Sequence, residues 1–205
     1  MNTPPSTFEL IRDIALLIFA AIGSFVALSG LRAWKIQLKG RSEYELAKRI
    51  LKSVYALREA ISRVRNPFVL ANEMYSALKE KGITIKENEF DKWNFSVVFE
   101  MRWNDISTSL NDLRVSEIDA EVLWGKSISN SLDKLYKIVL VLNLNIQEFL
   151  QLNKREDYSQ KHKDLLDKCK TIVYDRGKKN EPDNFTQKVN DIIKEIEDSL
   201  RKYLK

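Results

Sequence analysis

An uninterrupted run of eighteen uncharged residues, Ile14 to Leu31, limits what this chain can fold into more than any other feature. Its sequence is IALLIFAAIGSFVALSGL, and ten of the eighteen residues are Leu, Ile, Phe or Val. As an α-helix the run extends about 27 Å, close to the roughly 30 Å hydrocarbon thickness of a bilayer. Its large apolar side chains contribute roughly −3 to −6 kcal/mol of insertion free energy, and no charge opposes it. The run therefore predicts a transmembrane helix.

Two alternatives for this run are a cleaved secretory signal and a buried core helix. A signal peptide has a basic region before its apolar run, but here that segment holds Glu9, Arg12 and Asp13, a net charge of −1. Residues 27–29 resemble a signal-peptidase cleavage site, yet the negative charge before the run is the wrong sign for a secretory signal. A soluble core helix normally keeps a polar face, and this run has none. We interpret the run as an uncleaved anchor.

Basic residues are distributed unequally on the two sides of the run. Arg12 is the one basic residue before it, whereas seven lie between Arg32 and Lys52. Because basic residues are retained on the cytoplasmic side, we expect the amino terminus outside and the rest of the chain inside the plasma (cell inner) membrane. The single cysteine, Cys169, agrees with a reducing compartment, since domains in oxidising compartments more often carry paired cysteines.

Most of the positive charge lies next to the predicted span. The net charge of the chain is +5, and residues 32–66 alone carry +7. A basic segment at this place is attracted to anionic lipid headgroups by about 1 kcal/mol per residue. We assign this contact to four residues near the span: Arg32, Lys35, Lys39 and Arg41. Nucleic acid is not an expected partner, because the segment lacks interleaved aromatic residues and a recognisable binding module.

Local signals divide the chain into four predicted parts. Gly40 is expected to break the helix, and Ser42 with Glu45 resembles a capping box that opens the next one. A simple kink at Gly40 is the alternative to a hinge. The predicted parts are an extracytoplasmic tail (1–13), a transmembrane helix (14–31), a basic juxtamembrane helix and hinge (32–41), and a cytoplasmic helical domain (42–205).

The cytoplasmic part predicts an all-α fold, an antiparallel bundle of four to six helices. Gly and Pro together number ten in 205 residues, which favours helices joined by few loops. Apolar residues recur at helical spacing, and we expect helices over 42–65, 70–81, 87–114, 116–153, 159–175 and from 184 onwards. The expected boundary signals are Pro67, Gly82, a Ser116–Asp119 cap, and an Asn184–Gln187 cap.

The predicted helix over 116–153 is the best candidate for a central helix, and its apolar stripe covers 132–149. Six apolar residues repeat there at alternating spacings of three and four, and Ile138, Leu140 and Leu144 are expected to widen the buried face. In the segment 138–146, apolar and polar residues also partly alternate, which is typical of a strand. We favour the helix because the three-four pattern continues over five turns around it.

Chemical signatures are few. The chain lacks a Gly-rich phosphate loop, a GxSxG motif and a Cys or His cluster, so no cofactor or metal is expected. Cys169 and the single histidine, His162, stand seven residues apart, roughly 10 Å along a helix, too far for a nucleophile and its base. Cys169 is interpreted as a small core residue.

One pair resembles a known enzyme signature. Arg155 and His162 are separated by six residues, and a similarly spaced Arg–His pair is found in all-helical ribonucleases of the HEPN type. The resemblance rests on these two residues and implies a ribonuclease in which Arg155 neutralises phosphate charge while His162 transfers a proton. Glu156 departs from the small polar residue that often follows the Arg in that family. The alternative is that both residues are solvated and non-functional, near the start of a helix.

Small residues recur on one face of the predicted span. Ala20, Gly23, Ala27 and Gly30 are spaced by three, four and three residues, which lets another helix approach closely in lipid. This stripe predicts a homo-oligomer, although Ala and Gly are also common in spans that do not associate. The sequence as a whole favours a membrane-anchored scaffold or signalling module with an unknown protein partner over an enzyme.

Overall fold

A computed structural model of the chain describes residues 7–83, 96–154, 159–177 and 181–204. Within these ranges the protein consists of helices without a strand, which confirms the predicted all-α class. The chain divides into two compact units, residues 1–45 and 46–205. The helices are α1 (Thr7–Val64), α2 (Ala71–Glu80), α3 (Ser96–Trp124), α4 (Ser129–Leu152), α5 (Gln160–Val173) and α6 (Asn184–Leu200), followed by a 3₁₀ turn (Arg201–Tyr203).

Helix α1 passes through Gly40 without interruption. The predicted helix break at Gly40 and the new helix start at Ser42 are therefore wrong. A glycine inside a helix costs about 1 kcal/mol relative to alanine, which the continuous hydrogen bonding of the neighbouring turns offsets. The division of the chain into topological parts around this segment stays a prediction.

Two predicted helix ends are confirmed. Helix α1 ends at Val64, just before the Asn66–Pro67 step that disfavours helical backbone. Helix α2 ends at Glu80, and Gly82 follows with a φ angle of +69°, the left-handed conformation that suits glycine after a helix. Local backbone chemistry alone is enough to place both ends.

The boundary between α3 and α4 lies further along the chain than predicted. Ser116 is buried inside α3, and its hydroxyl donates a hydrogen bond to the Asp112 carbonyl at 2.9 Å instead of capping a new helix. The helix ends at Trp124, and Gly125 follows with a φ angle of +64°. The structure begins α3 at Ser96, and the predicted start at Glu87 lies outside the described residues.

Helices α5 and α6 begin close to their predicted starts. Residues 138–146 lie within α4, so the helix prediction is confirmed over the strand. Ser159 caps α5 by accepting a hydrogen bond from the His162 N–H. The cap of α6 is Asp183 and not the predicted Asn184, because the Asp183 carboxylate accepts a 2.8 Å hydrogen bond from the Thr186 N–H.

The main hydrophobic core lies in the second unit. It joins the last part of α1, from Leu46, with side chains of α3, α4, α5 and α6. The predicted stripe of α4 is buried, but Leu140 and Leu144 are each 55 % exposed, so these two do not widen the buried face. A smaller cluster forms beneath α2 from Met74, Ala77, Leu78, Val97 and Val98.

Candidate functional site

The first part of α1 exposes apolar side chains all round. From Leu16 to Ser42 every side chain is exposed. Among the described residues, α1 is the one helix that is long and apolar enough to cross a membrane. The large apolar side chains exposed here are Leu16, Leu17, Ile18, Phe19, Ile22, Phe25, Val26, Leu28, Leu31, Trp34, Ile36 and Leu38.

The four small residues of this helix leave an open surface. Ala20, Gly23, Ala27 and Gly30 are all exposed, and a Cβ atom built on either glycine would meet nothing within 4 Å. Ser24, beside them, turns its hydroxyl back to the Ala20 carbonyl at 2.8 Å. The surface therefore has room for the close approach of another helix, and self-association stays a prediction.

The four basic residues assigned to headgroup contact are also exposed: Arg32, Lys35, Lys39 and Arg41. Lys39 approaches Glu43 one turn later, with 3.8 Å between the ammonium nitrogen and a carboxylate oxygen. A single ion pair at this distance with an exposed lysine contributes little to stability, so the Lys39 charge remains available to an anionic surface.

The structure describes one member of the Arg155–His162 pair. Arg155 lies outside the described residues, so the distance between the two side chains stays open. His162 lies in the first turn of α5 and is only 8 % exposed, which restricts the access of a large substrate to its imidazole. Cys169, on the same helix, is buried as predicted, and this burial raises the pKa of its thiol.

A buried charged centre around Arg65 was missed by the sequence analysis. Arg65 follows α1 directly and is 1 % exposed. Its guanidinium pairs with the Asp183 carboxylate through two hydrogen bonds, Nη1 to Oδ1 at 3.2 Å and Nη2 to Oδ2 at 2.6 Å. The guanidinium also lies over the Phe185 ring, 4.6 Å from its centroid. Such a bidentate pair links the end of α1 to the start of α6.

The same guanidinium binds backbone and side-chain oxygens around the end of α5. It donates to the Ile172 carbonyl at 2.7 Å, the Tyr174 carbonyl at 3.0 Å and the Thr186 hydroxyl at 2.6 Å. The Arg65 carbonyl in turn accepts a 2.8 Å hydrogen bond from the Asp175 N–H. These contacts satisfy carbonyls that a helix end leaves without intrahelical partners.

The Asp183 carboxylate is fully engaged in this centre. Burial alone would raise its pKa, but hydrogen bonds from the Arg65 guanidinium and from the N–H groups of Thr186 and Arg176 outweigh burial and hold the pKa well below its usual range. Asp183 therefore stays ionised while its charge is compensated from inside the protein. Its capping position was detectable in the sequence, but its partner 118 residues away was not.

A second buried arginine organises the other side of the α1–α2 connection. Arg102 in α3 donates to both carboxylate oxygens of Glu73, at 2.6 and 2.8 Å. It also donates to the carbonyls of Asn66 and Phe68, at 2.7 and 2.8 Å. The hydrogen bond from Arg102 lowers the pKa of Glu73 despite partial burial. Both arginines bind loop and helix-end backbone, which is an architectural role.

Neither centre has the composition of a metal site. Within the described ranges, no group of three or more His, Cys, Asp or Glu side chains is placed to hold a metal ion. No protein-family model matches the chain, and no curated protein or solved structure shows significant similarity to it.

Proposed function

We propose that this protein is a single-pass, membrane-anchored helical module that binds partners and carries no catalytic activity of its own. The observation that supports this most is the first part of α1, where every side chain from Leu16 to Ser42 is exposed and the large ones to Leu31 are apolar. A contiguous apolar surface of this kind is costly in water and indicates an interaction with a membrane or a protein. A bilayer satisfies all sides of such a helix at once.

The proposed topology has the amino terminus outside and the second unit in the cytoplasm. It is tested by fusing either a fluorescent protein that matures only in the cytoplasm or an exported alkaline phosphatase after Lys205. We expect fluorescence from the first fusion and no phosphatase activity from the second. Active phosphatase would reverse the proposed orientation.

A variant in which the basic residues are moved from one side of the span to the other is the matched control for this topology. Changing Arg32, Lys35, Lys39 and Arg41 to Gln, with four Lys residues added before the span, removes the excess that sets orientation. We expect the two reporters to exchange their signals. In vesicles, the same four Gln changes without added Lys should weaken contact with anionic but not with neutral lipids, since each basic residue contributes about 1 kcal/mol to that contact.

The ribonuclease alternative depends on Arg155 and His162. We expect the purified full-length protein to leave RNA uncleaved, with the same result for the His162→Ala variant. If the natural chain cleaves RNA and the folded His162→Ala and Arg155→Ala variants do not, the protein is an enzyme and the proposed interaction module is wrong.

Self-association through the span is the remaining part of the proposal. Replacing Gly23 and Ala27 by Ile would block close approach of two helices without reducing insertion, because Ile is the more apolar residue. An in-membrane two-hybrid assay of the span should show association that the double change abolishes. An equal signal from both versions would place any homo-oligomer interface elsewhere in the chain.

A further inference from the structure

A groove of about 520 Å³ lies among α4, the end of α5 and the start of α6, entirely within the second unit. Its apolar surface is formed by Ile138, Val141, Ile172 and Phe185. The volume is within the range of about 300–1,000 Å³ that is usual for ligand sites. Its walls belong to regular helices and to the segment that the Arg65–Asp183 pair holds, so the groove is preformed.

The charges at this groove are not balanced. Asp183 lines it, but both of its carboxylate oxygens are already engaged, with Arg65 and with the N–H groups of Thr186 and Arg176. The side chains of Arg176 and Lys188 also line the groove and are exposed. Neither of them forms an ion pair within the part of the chain that the structure describes. Among the described residues, the groove therefore presents two cations without an ion-pair partner, beside an apolar floor.

The apolar surface continues along α4 beyond the groove. Val141 lines the groove, and Leu144, three residues later, stands beside it on the same helix and is 55 % exposed. Leu140 is equally exposed. Several large apolar side chains in one place, next to exposed cations, are typical of an interaction surface.

We propose that this groove binds an acidic peptide segment with apolar side chains, supplied by a partner protein. The inference rests on the proposed interaction-module function and names the chemistry of its partner. Leu, Ile or Phe side chains of the peptide contact the floor around Val141 and Phe185, while Asp or Glu carboxylates pair with Arg176 and Lys188. An inorganic anion would satisfy the cations and leave the floor unused, so the shape of the site favours a peptide.

The test starts from a displayed library of random peptides about twelve residues long, selected against the full chain in detergent micelles. We expect the enriched peptides to combine acidic with large apolar residues. Their affinity should fall about tenfold or more in the Arg176→Glu/Lys188→Glu variant, because two attractive charge pairs become repulsive. The matched control is Lys126→Glu/Lys163→Glu, which changes the net charge equally at exposed lysines outside the groove and should bind as the natural chain does.

Val141→Asn is a second variant that tests the floor without changing any charge. It should weaken the same peptides severalfold, and unchanged unfolding midpoints confirm that each variant folds. The proposal is overturned if no peptide is enriched, if the enriched peptides lack acidic residues, or if both charge variants bind equally. Self-association that disappears in the Arg176→Glu/Lys188→Glu variant would identify a second copy of the chain as the occupant and also overturn it.

The proposed peptide site and the proposed membrane anchor are tested by separate measurements. Peptide binding is read in detergent, where insertion is not required, and insertion is read by extraction of native membranes. A chain that inserts but binds no acidic peptide rejects the groove alone. A chain that binds the peptides but does not insert rejects the proposed anchor and leaves the groove standing.

Discussion

Helix α1 contains two regions that differ in how their apolar side chains are covered. From Leu16 to Ser42 every side chain is exposed, whereas from Leu46 onwards one face is buried in the core. Both regions are regular helix, so helix formation does not distinguish them. The difference lies in periodicity: up to Leu31 the first region is apolar on all sides, and the second region is apolar at every third or fourth residue.

The two regions of α1 need different surroundings. The second region places Ile50 and Leu57 in the core while Lys48 and Lys52 remain in water, so other helices of the protein can cover its apolar stripe. Up to Leu31, the first region has no polar side to leave in water. A surrounding that is apolar in every direction, such as the lipid that we propose, would cover this stretch on all sides.

The largest expected effect comes from placing charge in the first region. Ile22→Arg with Val26→Arg adds about 2.5–3.5 kcal/mol per residue at the centre of a span, which cancels the roughly −3 to −6 kcal/mol of the apolar run. We expect the variant to leave the carbonate-resistant membrane fraction. The Ile22→Leu/Val26→Leu control should remain there. If the double Arg variant also remains, the first region is not a span.

The next largest effect is expected in the second unit, at the buried Arg65. Arg65→Met leaves the Asp183 carboxylate without its cationic partner and removes the donor of several hydrogen bonds to carbonyls, and removal of one partner of a buried pair costs about 3–5 kcal/mol. Urea unfolding of the full chain in detergent, followed by tryptophan fluorescence, measures the loss. Arg32→Met, in the exposed region, is the control and should change nothing. Asp183→Asn added to Arg65→Met should recover part of the loss, because it removes the unpaired charge.

The same substitution, Leu→Ala, can be made at one leucine in each region of α1. Leu57 is 0 % exposed in the core, and Leu28 is 62 % exposed in the first region. Leu57→Ala should lower the free energy of unfolding by about 2–5 kcal/mol, because it removes buried apolar surface and leaves a cavity. Leu28→Ala should leave that free energy unchanged. Similar losses from both changes would mean that the first region also packs against protein.

The smallest changes in stability are expected from replacing two glycines by alanine. Gly40 lies inside α1, and a Cβ atom added there would meet nothing within 4 Å, so Gly40→Ala should stabilise the helix by about 0.5–1 kcal/mol. Gly125 has a φ angle of +64°, so Gly125→Ala should destabilise by about 1–2 kcal/mol. Circular dichroism of thermal unfolding measures both. A loss of stability in Gly40→Ala would show that a bend at Gly40 is needed after all.

Local sequence signals determined the helical class and most helix ends. The ends of α1 and α2 follow from Pro67 and Gly82, because each signal acts on the backbone within a few residues. The candidate span was likewise visible in composition alone, since the capacity to enter lipid depends on the side chains of one continuous helix. Where a local signal competed with its neighbours, as at Gly40 and Ser116, the prediction was wrong.

Packing between distant parts of the chain sets which polar residues are buried and which apolar residues stay exposed. Arg65 follows a helix end and looks like an ordinary surface arginine in the sequence, yet it pairs with Asp183 118 residues later. Leu140 and Leu144 belong to a strongly periodic segment, yet no described helix covers them. The groove beside them depends on residues from three helices meeting in space. Periodicity specifies the face of a helix, but the neighbour that covers that face is set by packing between elements distant in the chain.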